Sequence, residues 1–117
     1  NWKLAVENFC DTYHVFKVHP ALHELQDPKD RHPMYPDGQH MFSRFTIGAP
    51  GRGITVDPDG PMLPALSGLT PELESNSPFL NLFPNTTMAI FPSNLEFVMF
   101  EPVGPDRCIM HLWFYFV

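Results

Sequence analysis

Asp11, His14 and His19 fall in one short run, Asp11-x-x-His14-x-x-x-x-His19, near the start of a 117-residue chain. A carboxylate one helical turn before an imidazole, with a second imidazole five residues on, supplies most of a mononuclear metal site. Two histidines and a carboxylate that leave coordination positions open form the facial triad of non-haem Fe(II) oxygenases. At i and i+3, Asp11 and His14 share a helix face. His14 and His19 are i and i+5, and at about 3.6 residues per turn they point apart. Both reach one metal only if the helix ends, widens or kinks between them. Pro20 supplies a reason, because the residue before a proline is pushed out of the α region. The pattern predicts a helix over residues 2–15, irregular near Lys17, with His19 swung back toward His14. The same residues also fit an amphipathic helix end with two incidental histidines.

The remaining chain must supply the scaffold. A short helical turn is expected over residues 21–25, then a polar, proline-bearing surface loop over 26–38. Residues 40–47 alternate as a strand, and 48–78 return to turn chemistry. Within that stretch a helix is expected around 70–74, with Thr70 as cap and Pro71 at the first helical position. Residues 79–83 and 86–91 read as one strand interrupted near Pro84, or as two. Residues 95–100 and 107–117 read as a hairpin joined by Pro102-Val103-Gly104-Pro105-Asp106. In its second arm, Cys108, Met110, Leu112, Phe114 and Phe116 face one way, and Ile109, His111, Trp113, Tyr115 and Val117 the other. Both faces are largely apolar, so this strand is expected to be covered on both sides. Helices first and antiparallel strands after them make an α+β fold.

Composition narrows the function classes. A length of 117 residues suits one domain, and 44% hydrophobic residues with 11 Phe suffice for a core. The 14 Pro point to many irregular connections. A net charge of -6 argues against a nucleic-acid partner, which needs clustered Lys and Arg. No apolar run reaches the roughly 18 residues of a membrane span. The two Cys are distant and make no disulfide framework, so a cytoplasmic location is the default expectation. Asn85-Thr86-Thr87 matches a glycosylation sequon, but it lies in an apolar strand.

The other histidines have plainer readings. His19 and His23 form a His-x-x-x-His pair, a half-site that would suit a zinc hydrolase. His32 and His40 flank the polar loop and read as solvated. His111 alternates inside a strand and reads as a satisfied interior histidine.

The run Asn1-Trp2-Lys3-Leu4, Glu7-Asn8-Phe9, Asp11, Tyr13-His14 and His19-Pro20 resembles the iron-binding segment of the Rieske non-haem iron oxygenases. These are the alpha subunits of aromatic-ring-hydroxylating dioxygenases and of related mono-oxygenases and demethylases. Phe83-Pro84-Asn85 and residues 100–107 resemble strand segments of the same catalytic domain, while the middle of the chain matches no motif. The resemblance implies a helix-grip architecture, a curved antiparallel sheet around a helix that carries the iron ligands. It implies Fe(II) on His14 and His19, with Asp11 bridging an iron-ligating histidine toward a neighbouring subunit's cluster. The third ligand is then an acidic residue beyond Val117. A [2Fe–2S] Rieske cluster needs two cysteines and two histidines. Neither Cys10 nor Cys108 has the required histidine spacing, so the cluster domain is expected upstream and the chain reads as an internal piece of the catalytic domain.

The implied chemistry is hydroxylation, dihydroxylation or demethylation of an aromatic or other small apolar substrate with O2. Electrons would pass from NAD(P)H through a reductase, with or without a ferredoxin, in a homotrimer or an alpha3beta3 assembly. An apolar pocket with few polar groups is expected, and Phe83, Asn85, Met88 and Phe97 are its candidate lining. Phe91 and Met99 extend that set, although each of these residues fits plain core packing as well. The rivals are a helix-grip ligand-binding domain without a metal and the zinc hydrolase built on His19 and His23.

Overall fold

The computed structural model describes residues 1–25, 35–46 and 59–117. Helix α1 (Trp2–Cys10) opens the fold, capped by Asn1, whose side-chain oxygen accepts the Lys3 N–H at 2.9 Å. Trp2, Ala5, Val6, Phe9 and Cys10 are half-buried while Lys3, Leu4, Glu7 and Asn8 are exposed, which is the stripe of a surface helix. The same Asn1 donates its side-chain N–H to the Pro105 carbonyl at 3.0 Å, tying the start of α1 to a distant turn.

The helix ends earlier than its spacing predicts. α1 stops at Cys10, and Asp11 is its C-cap with an extended backbone. The Asp11 carboxylate accepts the backbone N–H of Tyr13 at 2.8 Å and that of His14 at 3.3 Å. A short acidic side chain that captures nearby N–H groups offers the backbone an alternative to the helix. The break therefore lies between Asp11 and His14, and residues around Lys17 are regular. They form the single turn α2 (Val15–Val18), followed by α3 (Pro20–Leu25).

The rest is a six-stranded antiparallel sheet in simple sequential order. Its strands are β1 (Tyr35–Asp37), β2 (His40–Thr46), β3 (Asn76–Leu82), β4 (Thr86–Phe91), β5 (Asn94–Pro102) and β6 (Cys108–Phe116). The composition of residues 35–37 predicts loop, yet β1 pairs with β2 across a two-residue reversal in which Gly38 takes a φ of +61. Helix α4 (Pro71–Ser75) has Thr70 as its cap, as its sequence predicts, with the hydroxyl accepting the Leu73 N–H at 3.3 Å. β3 begins at Asn76 inside the stretch read as turn chemistry, because Ser77 and Pro78 pair with Phe45 and Arg44. β3 and β4 are separate strands, and the Phe83–Pro84 peptide in the connection between them is cis. The parts of the predicted loops at residues 26–34 and 48–58, with His32 and Ile47, lie outside the described residues.

Register assigns the two faces. Phe79 opposes Ala89, Ala89 opposes Glu96 and Thr87 opposes Val98, so these side chains share one face with Phe91 and Phe100. α1 packs on this face through Phe9, whose ring stacks on Phe79 at 6.4 Å and meets Phe100 edge-on at 5.4 Å. Ala89, Phe91, Val98 and Phe100 are its buried core. Strand β6 departs from expectation. Its alternation holds, but Met110, Leu112, Phe114 and Phe116 on one face and Ile109, Trp113 and Tyr115 on the other are all exposed. Nothing among the described residues covers either side. The architecture is α+β, an open antiparallel sheet with helices against one face.

Candidate metal centre

His14 and His19 stand at the two ends of α2, as its N-cap and C-cap residues. Lys17 and Val18 donate their backbone N–H groups to the His14 carbonyl at 3.0 and 2.9 Å, and His19 donates to Val15 at 3.0 Å. Pro20 keeps His19 out of helical geometry, at φ -123 and ψ 68. One tight turn therefore separates the two imidazoles, and their ring centres come to 5.3 Å at an interplanar angle of 73°. Metal–nitrogen bonds of about 2.1 Å place the ring centres of two neighbouring ligands roughly 4.5–5.5 Å apart. The ring-centre spacing of the pair is compatible with a shared ion.

Asp11 takes part through His14. Its Oδ2 lies 3.3 Å from His14 Nδ1. A carboxylate accepts only, so the contact favours a proton on Nδ1 and directs Nε2 toward a metal. The Tyr13 N–H first, and then the contacts with His14, hold the Asp11 carboxyl below the ordinary carboxylate range. Beside it, burial first and the Glu7 carboxylate second push the Cys10 thiol upward, so it stays protonated and is a poor ligand.

The donor set is two imidazoles. Among the described residues, no group of three His, Cys, Asp or Glu side chains converges to hold a metal. Asp11 spends both oxygens on Tyr13 and His14. His23 follows one turn beyond His19, its N–H on the His19 carbonyl at 2.9 Å. Tyr13 is exposed and leans edge-on against Phe16 at 5.2 Å. Glu7 and Asn8 are on the exposed side of α1.

The candidate pocket residues divide between different parts of the sheet. Met88 and Phe97 oppose each other across β4 and β5, on the face turned away from α1. Met99 shares that face, while Phe91 is buried in the core on the other. Phe83 is exposed and helps line a shallow cleft of about 200 Å³ with Trp2, Lys3, Val6, Glu7 and Pro84. Asn85 donates its side-chain amide to the Phe100 carbonyl at 2.8 Å. Apolar character suggested these residues, but strand alternation decides which side each one serves. That alternation instead puts the buried polar residues Ser43, Asn81 and Thr87 on the α1 side, which apolarity alone does not reveal.

The remaining described histidines stand apart from the pair. His40 is exposed and its Nδ1 accepts the Phe83 N–H at 3.2 Å. His111, expected in the interior, is partly exposed on the face away from α1. It meets Glu101 at 2.7 Å and stacks on Trp113 at 5.7 Å.

No curated protein matches the chain. Among solved structures it is similar to the quaternary ammonium Rieske monooxygenase CntA, in complex with the inhibitor MMV12, with a TM-score of 0.71 at 15% identity. That match covers 99% of this chain and 27% of the solved one, so the chain spans about a quarter of that protein's length. No helix among the described residues is long and apolar enough to cross a membrane. The family described as ring hydroxylating alpha subunit (catalytic domain) matches residues 1–117, and the chain belongs to that family.

Proposed function

We propose that these residues are the iron-holding part of a Rieske-type terminal oxygenase, with His14 and His19 as two ligands of a mononuclear Fe(II). The observation that carries this reading is the pair of imidazoles at the ends of one helical turn, with Asp11 on the Nδ1 of the first. When bound, the iron supplies O2 activation beside an organic substrate. The protein's share is to fix the two rings. Asp11 holds the His14 proton on Nδ1 and leaves Nε2 to the metal, the arrangement by which a carboxylate orients a ligating histidine.

Asp11 is also the bridging carboxylate toward a neighbouring subunit's [2Fe–2S] cluster. Its half-exposed side chain supports that role, since one carboxylate can reach both His14 and a partner. The Rieske domain precedes these residues in a longer polypeptide, and a third, acidic ligand follows Val117. Electrons come from NAD(P)H by way of a reductase, with or without a ferredoxin, to a cytoplasmic homotrimer or alpha3beta3 complex. The substrate is aromatic or another small apolar compound, and the catabolism of aromatic hydrocarbons is the setting.

The deciding experiment is anaerobic reconstitution of the intact oxygenase with Fe(II), followed by NAD(P)H-dependent O2 uptake with a panel of aromatic substrates. Parental protein should bind one iron per mononuclear site and consume O2. His14→Ala and His19→Ala should lose both the iron and the uptake. Full iron occupancy in either variant would overturn the ligand assignment.

A further inference from the structure

The turn before β4 holds an interaction that reaches the candidate metal centre. The ladder between β4 and β5 has Thr86 opposite Met99 as its last regular pair. One residue further, the Phe100 N–H donates to the Asn85 carbonyl at 2.9 Å. The Phe100 carbonyl is taken by the side-chain amide of Asn85, at 2.8 Å. A side chain thus stands in for the second backbone bond of the pair, and both polar backbone groups of Phe100 are fixed by one residue. An aspartate here would set a carboxylate oxygen against a carbonyl oxygen, because it has no N–H to give.

Phe100 passes this constraint on. Phe100 is 2% exposed and its ring meets Phe9 edge-on at 5.4 Å, while Phe79 stacks on Phe9 at 6.4 Å. Phe9 stands two residues before Asp11, in the last turn of α1. Asp11 is the C-cap of α1, its N–H bound to the Glu7 carbonyl at 3.0 Å, and its carboxylate holds Tyr13 and His14. A shift of the Phe100 ring therefore moves the end of α1 and, with it, the carboxylate that orients His14.

We infer that Asn85 is a positioning residue for the His14–His19 metal centre, acting through Phe100 and Phe9. This rests on the iron-site reading above. The test uses the intact oxygenase loaded with Fe(II) and follows iron release to a chelator under anaerobic conditions. Asn85→Asp should release iron about tenfold faster than the parent, within the range seen when groups supporting a metal ligand are lost. Phe9→Leu, which keeps Asn85 and loosens the next link, should accelerate release in the same direction. Ile90→Ala, a volume loss on the sheet face away from α1, serves as the control for general destabilisation and should release at the parental rate. Parental release from Asn85→Asp or from Phe9→Leu overturns the inference while leaving the iron site standing. So does Ile90→Ala releasing as fast as Asn85→Asp at the same thermal midpoint. If the parent binds no iron, the site and the inference fall together.

Discussion

Oδ2 of Asp11 lies 3.3 Å from Nδ1 of His14, while Oδ1 of the same carboxylate accepts the Tyr13 N–H at 2.8 Å. One side chain thus ends a helix and sets the orientation of an imidazole. The two tasks can be separated by substitution. Asp11→Ala removes both, and iron affinity should fall about 10–100-fold, measured by competition with a chelator. Asp11→Asn keeps one oxygen for the turn, so most of the iron should remain while turnover collapses. Turnover retained in Asp11→Asn would sink the bridging role.

His23 separates the iron reading from a zinc half-site. His23→Ala should leave iron content at the parental level and His19→Ala should abolish it, as read by metal analysis of the purified intact protein. Equal loss from both would place the metal between His19 and His23 instead.

Glu96 gives a pH signature. Burial raises its carboxyl above the ordinary range. A carboxylate with a raised folded value destabilises the fold when charged, an effect fully present above that folded value and relieved as pH falls through it. Glu96→Gln should therefore raise the thermal midpoint at pH 7, and the gain should vanish near pH 3, where the parent is also neutral. A gain that persisted at low pH would assign the effect to packing.

Phe100 is more deeply buried than Phe91, the other buried core phenylalanine among the described residues. Phe100→Ala should cost about 3–5 kcal/mol, the usual range for emptying a buried aromatic site, read from urea unfolding of the intact protein. The pair of Glu101 and His111 is its counterpoint. Both side chains are partly exposed, and Glu101→Gln should change stability by about 0–1 kcal/mol despite a 2.7 Å contact.

The sequence made some of this legible and concealed the rest for identifiable reasons. Thr70 and Pro71 announced α4 through local chemistry, and the local cap forms. Pro20 announced the non-helical backbone of His19. The break after Cys10 was misplaced because periodicity continues through Asp11 to His14, while the competing bonds to Tyr13 and His14 depend on one carboxylate rotamer. β1 was hidden because Tyr35-Pro36-Asp37 has turn composition, and only its partner strand makes it extended. The pocket candidates were chosen by apolarity, a property shared by both faces of β4 and β5. The alternation that separates Met88 from Ala89 was available, but the face that α1 covers is set by Phe9, Phe79 and Phe100 meeting across the fold.

Strand β6 has a practical consequence for anyone handling these 117 residues by themselves. Its outer edge carries no strand among the described residues, and both of its faces show aromatic and aliphatic side chains to water. A long apolar edge of this kind is a template for pairing with further chains. Concentrated samples should scatter light and bind amyloid dyes long before α1 or α2 loses its shape. A charged residue at an outward position such as Tyr115 should restore a monodisperse sample.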